Sequence, residues 1–275
     1  MAQFFYLVLS LLAAMLFAPL WAELACLAGH LAPNYRGRAI PQSMGAIFLP
    51  VFLLAAAWAY VTELLAASVL WRALLVVFAF GLLGLADDIW GDRRSKGFTG
   101  HFARFFREGS ITTGLIKAVA GYLACLAATC GMPVFFPLLF LRAALVALSA
   151  NLLNLLDLRP GRSLKVFFLL ALLLVTLVPK EAGVLLLFPF LLAAFILFPR
   201  DLAARGMLGD TGANVLGAVL GLFTVLFGSS LLQLGSLALL AGVHVLTEKV
   251  SLSAVIDRQP LLRFLDHLGR TGQFE

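Results

Sequence analysis

Residues 73–90 read Ala73-Leu74-Leu75-Val76-Val77-Phe78-Ala79-Phe80-Gly81-Leu82-Leu83-Gly84-Leu85-Ala86-Asp87-Asp88-Ile89-Trp90, an uncharged run closed by two adjacent aspartates. A membrane span needs about 20 mostly apolar residues, so the run reads as the body of a span and the aspartates as its rim. Ionisable groups at that depth are rare and usually face a cavity, an ion or a substrate. Adjacent like charges repel unless a cation or a proton compensates them, which makes a divalent metal the natural suspect.

The rest of the chain has the same character. Of 275 residues, 62% are hydrophobic and 12% charged, and the mean hydropathy is +1.03. A soluble domain does not need that much apolar surface, and a multi-span membrane protein does. Nine spans are expected, near 3–22, 44–62, 67–86, 112–130, 134–153, 163–179, 182–198, 212–228 and 231–247, with turns at Gly131-Met132-Pro133 and Gly228-Ser229-Ser230. The expected fold is therefore all-α, a single polytopic helix bundle, with interfacial amphipathic helices on its cytoplasmic side. The first segment lacks a basic start and is too long for a signal peptide, so it reads as an uncleaved span. Cys26, Cys125 and Cys130 show no metal or disulfide spacing and read as small packing residues.

Basic residues set the expected orientation. With loops numbered alternately, 17 Lys and Arg fall on one side, only Arg72 and Lys180 on the other, and Arg142 inside a span. That bias places the N-terminus outside and the C-terminus in the cytoplasm. The pI near 9.6 then reflects topology and anionic ligands, and no nucleic-acid motif is visible.

The acidic groups gather at cytoplasmic span ends: Asp87 and Asp88 after span three, Asp157 after span five, Asp210 before span eight. Asn151, Asn154 and Asp157 recur at i, i+3, i+6 on one drifting helix face. That face suits either a polar cleft for a sugar or nucleotide, or plain interhelical hydrogen bonding. Gly209-Asp210-Thr211-Gly212 opens a helix whose free N–H groups favour anions, and Asp210 serves there as an N-cap or a metal ligand. Segment 89–113 interleaves Phe98, Phe102, Phe105 and Phe106 with Arg93, Arg94, Lys96, His101, Arg104 and Arg107, an interfacial amphipathic pattern. Its main expected role is anchoring to anionic headgroups; Lys96 and Lys117 could also meet a phosphate. Arg36 and Arg38 in the first cytoplasmic loop suit phosphate binding and positive-inside orientation equally. A tail from about 248 to 275 carries Leu261, Phe264, Leu265 and Leu268 at helical spacing after Pro260, expected as a short helix on the cytoplasmic face.

Arg36-Gly37-Arg38-Ala39-Ile40-Pro41 with Gly45, Gly84-Leu85-Ala86-Asp87-Asp88, Lys117, Asn154-Leu155-Leu156-Asp157 and Gly209-Asp210-Thr211-Gly212-Ala213-Asn214 with Gly217 follow one another in this order. The ordered set, over roughly 34–217, resembles the polyprenyl-phosphate N-acetylhexosamine-1-phosphate transferases. The resemblance implies Mg²⁺-dependent transfer of a sugar-1-phosphate from a UDP-sugar to polyprenyl (undecaprenyl) phosphate, releasing UMP, in the bacterial inner membrane. It implies Asp88 and Asp210 as Mg²⁺ ligands and Asp87 as the group that orients or deprotonates the lipid phosphate. Arg36, Arg38, Lys96, Lys117, Asn151, Asn154, Asp157, Gly209 and Asn214 are the candidate substrate contacts, and a homodimer is one expected assembly.

The chain departs from the family pattern. Leu158 and Pro160 replace a glycine and an acidic residue after Asp157, and Met207 stands near an expected aromatic. Glu248-Lys249-Val250-Ser251 occupies the region of a histidine-rich loop, and the usual tenth span is missing. The resemblance is thus to a divergent member and not to the peptidoglycan translocase. The alternative is an inactive relative that binds lipid phosphate as a scaffold or regulator in envelope assembly. An ion-coupled transporter would place its carboxylates near the bilayer midplane, not at one rim.

Overall fold

A computed structural model describes residues 1–91, 113–133 and 135–270. Among the described residues 80% are helical, and the fold is all-α. Its helices are α1 (Ala2–Leu27), α2 (Phe48–Val61), α3 (Ala67–Trp90), α4 (Thr113–Thr129), α5 (Phe136–Leu156), α6 (Arg162–Leu177), α7 (Glu181–Leu202), α8 (Gly209–Phe227), α9 (Ser230–Lys249), α10 (Leu252–Arg258) and α11 (Pro260–His267). A 3-10 turn, Met44–Ile47, runs directly into α2.

Seven helices among the described residues are long and apolar enough to cross a membrane: α1, α2 with its 3-10 turn, α3, α5, α7, α8 and α9. The expected spans at 112–130 and 163–179 coincide with α4 and α6, which are shorter, at 17 and 16 residues. The helical state follows from the solvent. In hydrocarbon every backbone N–H and C=O must be satisfied within its own segment, and a helix does that. The breaks fall where the apolar runs end: at Gly29, at Glu63 with its left-handed φ of 55°, and at Gly131. At Ser229 the side chain caps α9 by accepting from Leu232 N at 3.2 Å.

The bundle is built around α8. Every residue from Thr211 to Val225 is buried, and α8 touches α3, α5, α6, α7, α9 and the 3-10 turn. The outer helices are reversed in character, with Leu16, Leu169, Leu172, Phe195 and Leu239 exposed, as suits a lipid-facing surface. Close approach near the start of α8 depends on Gly84. A Cβ there would lie 2.6 Å from Asp210 O and Thr211 N, so only glycine lets α3 meet the backbone of α8.

Two short antiparallel strands, β1 (Leu31–Pro33) and β2 (Ala39–Pro41), pair Ala32 with Ile40. Their exit is stitched to the approach of α8 by Met207 N to Pro41 O (2.9 Å), Met44 N to Met207 O (2.9 Å) and Gly45 N to Leu208 O (3.0 Å). Arg142, alone within α5, pairs internally: its Nε donates to Gln233 Oε1 at 2.9 Å.

Gly84→Val forces the α3 and α8 backbones apart. The expected loss is about 1–3 kcal/mol, the usual cost of overpacking, read as a lowered Tm in detergent micelles.

Candidate functional site

Asp87 and Asp88 lie on the last turn of α3 and face different partners. Asp88 reaches across to the first turn of α8. Its Oδ1 accepts from Asp210 N at 3.0 Å and its Oδ2 from Thr211 N at 3.1 Å and Thr211 Oγ1 at 2.6 Å. Gln42 Nε2 (3.2 Å) and Ser43 Oγ (2.7 Å) complete the set. Because Ser43 donates to Asp88, His30 Nε2, 2.8 Å from Ser43 Oγ, is the donor in that contact. Asp88 is therefore a capping group supplied from another helix, satisfying N–H groups that α8 leaves without intrahelical partners. This is a different task from the metal ligation that the family resemblance implies. Gly209 makes the approach possible: its φ is +76°, and a Cβ there would lie 2.6 Å from Asp88 Oδ2.

Asp87 faces α4. Lys117 Nζ donates to Asp87 Oδ2 at 3.1 Å and also to Asp210 Oδ2. Asn154 Nδ2 reaches the same Asp210 oxygen at 3.2 Å, and Asn214 Nδ2 binds Asp210 O at 2.5 Å. Two helices thus aim one carboxylate each at an ammonium carried by a third. Carboxylate oxygens converging on a single positive charge are also the donor set a hard divalent cation takes, so Asp87 and Asp210 fit Mg²⁺ in the position Lys117 fills.

These groups form the polar end of a cavity of about 700 Å³. Asp87, Lys117, Asn151, Asn154, Asp210 and Asn214 line that end, while Val119, Leu123, Ala144, Ala147 and Leu148 make apolar walls from α4 and α5. His244, Thr247, Glu248 and Ser251 line the same cavity from α9 and the residues after it. That wall was missed by sequence reasoning, although its spacing of i, i+3, i+4, i+7 is visible in the chain.

Other expected contacts are placed elsewhere. Asp157 ends α5 and does not line the cavity. Burial pushes its carboxyl well above the usual carboxylate range, and the neighbouring Asp201, Asp210 and Asp88 push it further, against a backbone hydrogen bond from Gly209. Arg36 and Arg38 sit exposed in the turn between β1 and β2, outside both large cavities. Lys96, and with it residues 92–112 of the expected amphipathic segment, lies outside the described residues. Asp201 was not anticipated. It accepts from Gly161 N at 2.7 Å and braces the altered turn at 157–161; an acidic residue at a span rim was the signal available for it.

The tail docks by its polar side. Arg162 grips Asp266 through Nε and Nη2, at 2.8 and 2.9 Å, and Arg270 joins at 2.5 Å while bonding Pro160 O at 2.9 Å. Leu261, Phe264, Leu265 and Leu268 consequently face outward. Asp257, Asp266 and His267 put potential ligand atoms within 4.8 Å of one another, but the two arginines already occupy Asp266. Burial alone would raise the Asp266 carboxyl; the hydrogen bond and charge of Arg162, with Arg270, outweigh it and hold Asp266 below the usual range.

No protein-family model matches the chain, and no curated protein matches it.

Two outcomes follow from these contacts. Asp88→Ala strips the cap from α8 and is expected to cost about 1–2 kcal/mol, read as a Tm loss, whereas Asp88→Asn keeps one accepting oxygen but turns an NH2 toward donors, and so recovers only part of it. For the tail, a depressed carboxyl contributes stability above its unfolded value and loses it as pH falls through the folded one. Limited proteolysis of residues 259–270 should therefore accelerate only below the ordinary carboxylate range. Asp266→Ala should expose the tail at neutral pH, because an unpaired buried Arg162 costs about 3–5 kcal/mol.

Proposed function

We propose that the protein transfers a sugar-1-phosphate from a UDP-N-acetylhexosamine-type donor to polyprenyl phosphate, releasing UMP. One observation carries the reading: a carboxylate–ammonium–carboxylate cluster closes one end of a cavity that is otherwise mostly apolar. An anionic head on a long hydrocarbon chain is the ligand chemistry such a cavity suits. The motif order described above supports the same class of reaction.

In this reading Asp87 and Asp210 would hold Mg²⁺, which when bound neutralises charge on the donor diphosphate. Lys117, displaced from between them, would bind the lipid phosphate oxygens. A phosphate monoester is largely ionised at pH 7, so its oxygen needs positioning more than deprotonation. That oxygen attacks the sugar-bearing phosphorus of the donor, the bond to the bridging oxygen breaks, and UMP leaves with that oxygen. Asn154 and Asn214 would keep Asp210 aimed, Asn151 would offer an amide to the substrate, and Asp88 would act by fixing the start of α8. Holding both substrates in line supplies much of the remaining acceleration.

The finer topology belongs to the same proposal. All nine helices from α1 to α9 cross a bacterial inner membrane, with the carboxylate end in the cytoplasm as the basic-residue bias requires. The outward apolar face of α11 lies in the headgroup region.

A second reading has its own observation. Lys117 pairs with both carboxylates, an arrangement that a non-catalytic lipid-phosphate binder would also use. Purified protein with undecaprenyl phosphate, Mg²⁺ and a panel of labelled UDP-sugars separates the two. Lipid-linked product is expected, lost on chelation and reduced about 10²-fold or more in Asp87→Asn, Asp210→Asn and Lys117→Ala. Asp88→Asn should retain a larger share. No product from any donor, with undecaprenyl phosphate still bound, would sink the transferase and leave the scaffold.

A further inference from the structure

The end of the bundle remote from the carboxylate cluster holds a guanidinium within a helix of membrane length. Arg142 stands six residues past Phe136, the first residue of α5, and α5 is long and apolar enough to cross a membrane. At 1.5 Å per residue its Cα lies about 9 Å from that end of the helix. Its Nε donates to Gln233 Oε1 at 2.9 Å, and its Nη1 lies 3.5 Å from Met132 Sδ. Gln233, three residues past Ser230 at the start of α9, is itself buried. Its Nε2 donates to Gly228 O at 2.9 Å and Val225 O at 3.3 Å, meeting carbonyls that the end of α8 leaves free. The amide is thereby fixed, and it holds the guanidinium about one turn inside the near end of α9.

Neither neighbour carries charge. Arg142 forms no ion pair among the described residues, and it is only partly buried. Charged groups in a span ordinarily pair with one another or with backbone carbonyls, whereas this one has an amide and a thioether. Its Nη2 makes no hydrogen bond among the described residues. Phe135 and Leu231, at the near ends of the same two helices, are exposed, so the guanidinium has acyl-chain surroundings. A counter-ion that fits there is anionic at one end and apolar at the other.

We propose that Arg142 binds the phosphate of an anionic phospholipid seated between the starts of α5 and α9. With Nε committed to Gln233, the Nη1 and Nη2 N–H groups are left to donate to two phosphodiester oxygens. Snorkelling of the side chain toward the helix end brings them to headgroup level. A zwitterionic lipid carries its own ammonium, so a net-anionic headgroup such as that of phosphatidylglycerol compensates Arg142 better. The site lies at the opposite end from Asp87 and Asp210 and is independent of the transferase reading.

The test is native mass spectrometry of the full-length protein with equal amounts of phosphatidylglycerol and phosphatidylcholine of matched acyl chains. Basic residues elsewhere also attract anionic lipid, so the comparison is between variants. Wild type should retain one more phosphatidylglycerol than Arg142→Met, a loss of about fivefold or more in affinity for that lipid. Phosphatidylcholine retention should be equal in both. Lys180→Met, which removes a cation at the same end, should leave the count at the wild-type value. A count that Arg142→Met leaves unchanged overturns the site, as does an equal loss in Lys180→Met. Displacement of the lipid by inorganic phosphate assigns the site to a free anion and overturns the lipid. A measurement on wild type decides the matter should Arg142→Met fail to fold. A phosphatidylglycerol with a photoreactive headgroup should label the starts of α5 and α9, and labelling confined to the opposite end of the bundle overturns the proposal.

Discussion

A helix that begins inside a bundle brings orphan N–H groups with it, and Asp88 answers those at the start of α8. That contact joins the last turn of α3 to the most buried of the described helices. It also sets where Asp210 sits, because the backbone N–H that Asp88 binds belongs to Asp210 itself. Gly84 and Gly209 clear the space for it, and Ser43, held by the strand pair and its link to Met207 and Leu208, adds a donor from the third side. Remove this junction and the carboxylate cluster has no fixed geometry.

The second constraint is charge. Asp87 and Asp210 approach each other in an environment where an uncompensated pair would be expensive, and one ammonium offsets both. Lys117 comes from α4, a helix of 17 residues that also builds the apolar wall of the cavity. One element thus provides both the cation and the surface for a hydrocarbon chain. The altered turn at 157–161 is stabilised differently, by Asp201 from one side and the Arg162–Asp266–Arg270 network from the other. Pro160 offers its carbonyl to Arg270. The tail has therefore become part of this end of the bundle.

Much of this was legible in the chain, for local reasons. Long apolar runs specify helices because lipid leaves the backbone no other partner, so the element positions needed no tertiary information. Asp87, Asp88 and Asp210 stood out because carboxylates at span ends are costly. The tail helix was legible from its spacing, but which of its sides docks was not: Asp266 turned the polar side in. Asp201 and the α9 wall were hidden, since a single acid at a rim or a histidine in a span has no partner visible in sequence.

By itself, the sequence determined an all-α chain with membrane-length helices, and it brought the aspartates, Lys117 and the asparagines to helix ends, because hydropathy and helical period act over a few turns. Which of two neighbouring aspartates caps a helix and which faces the cavity was decided only by tertiary structure. Asp87 and Asp88 are adjacent in sequence and alike in chemistry. On a helix, successive side chains point about 100° apart, and only the placement of α4 and α8 gives one a lysine and the other a row of N–H groups.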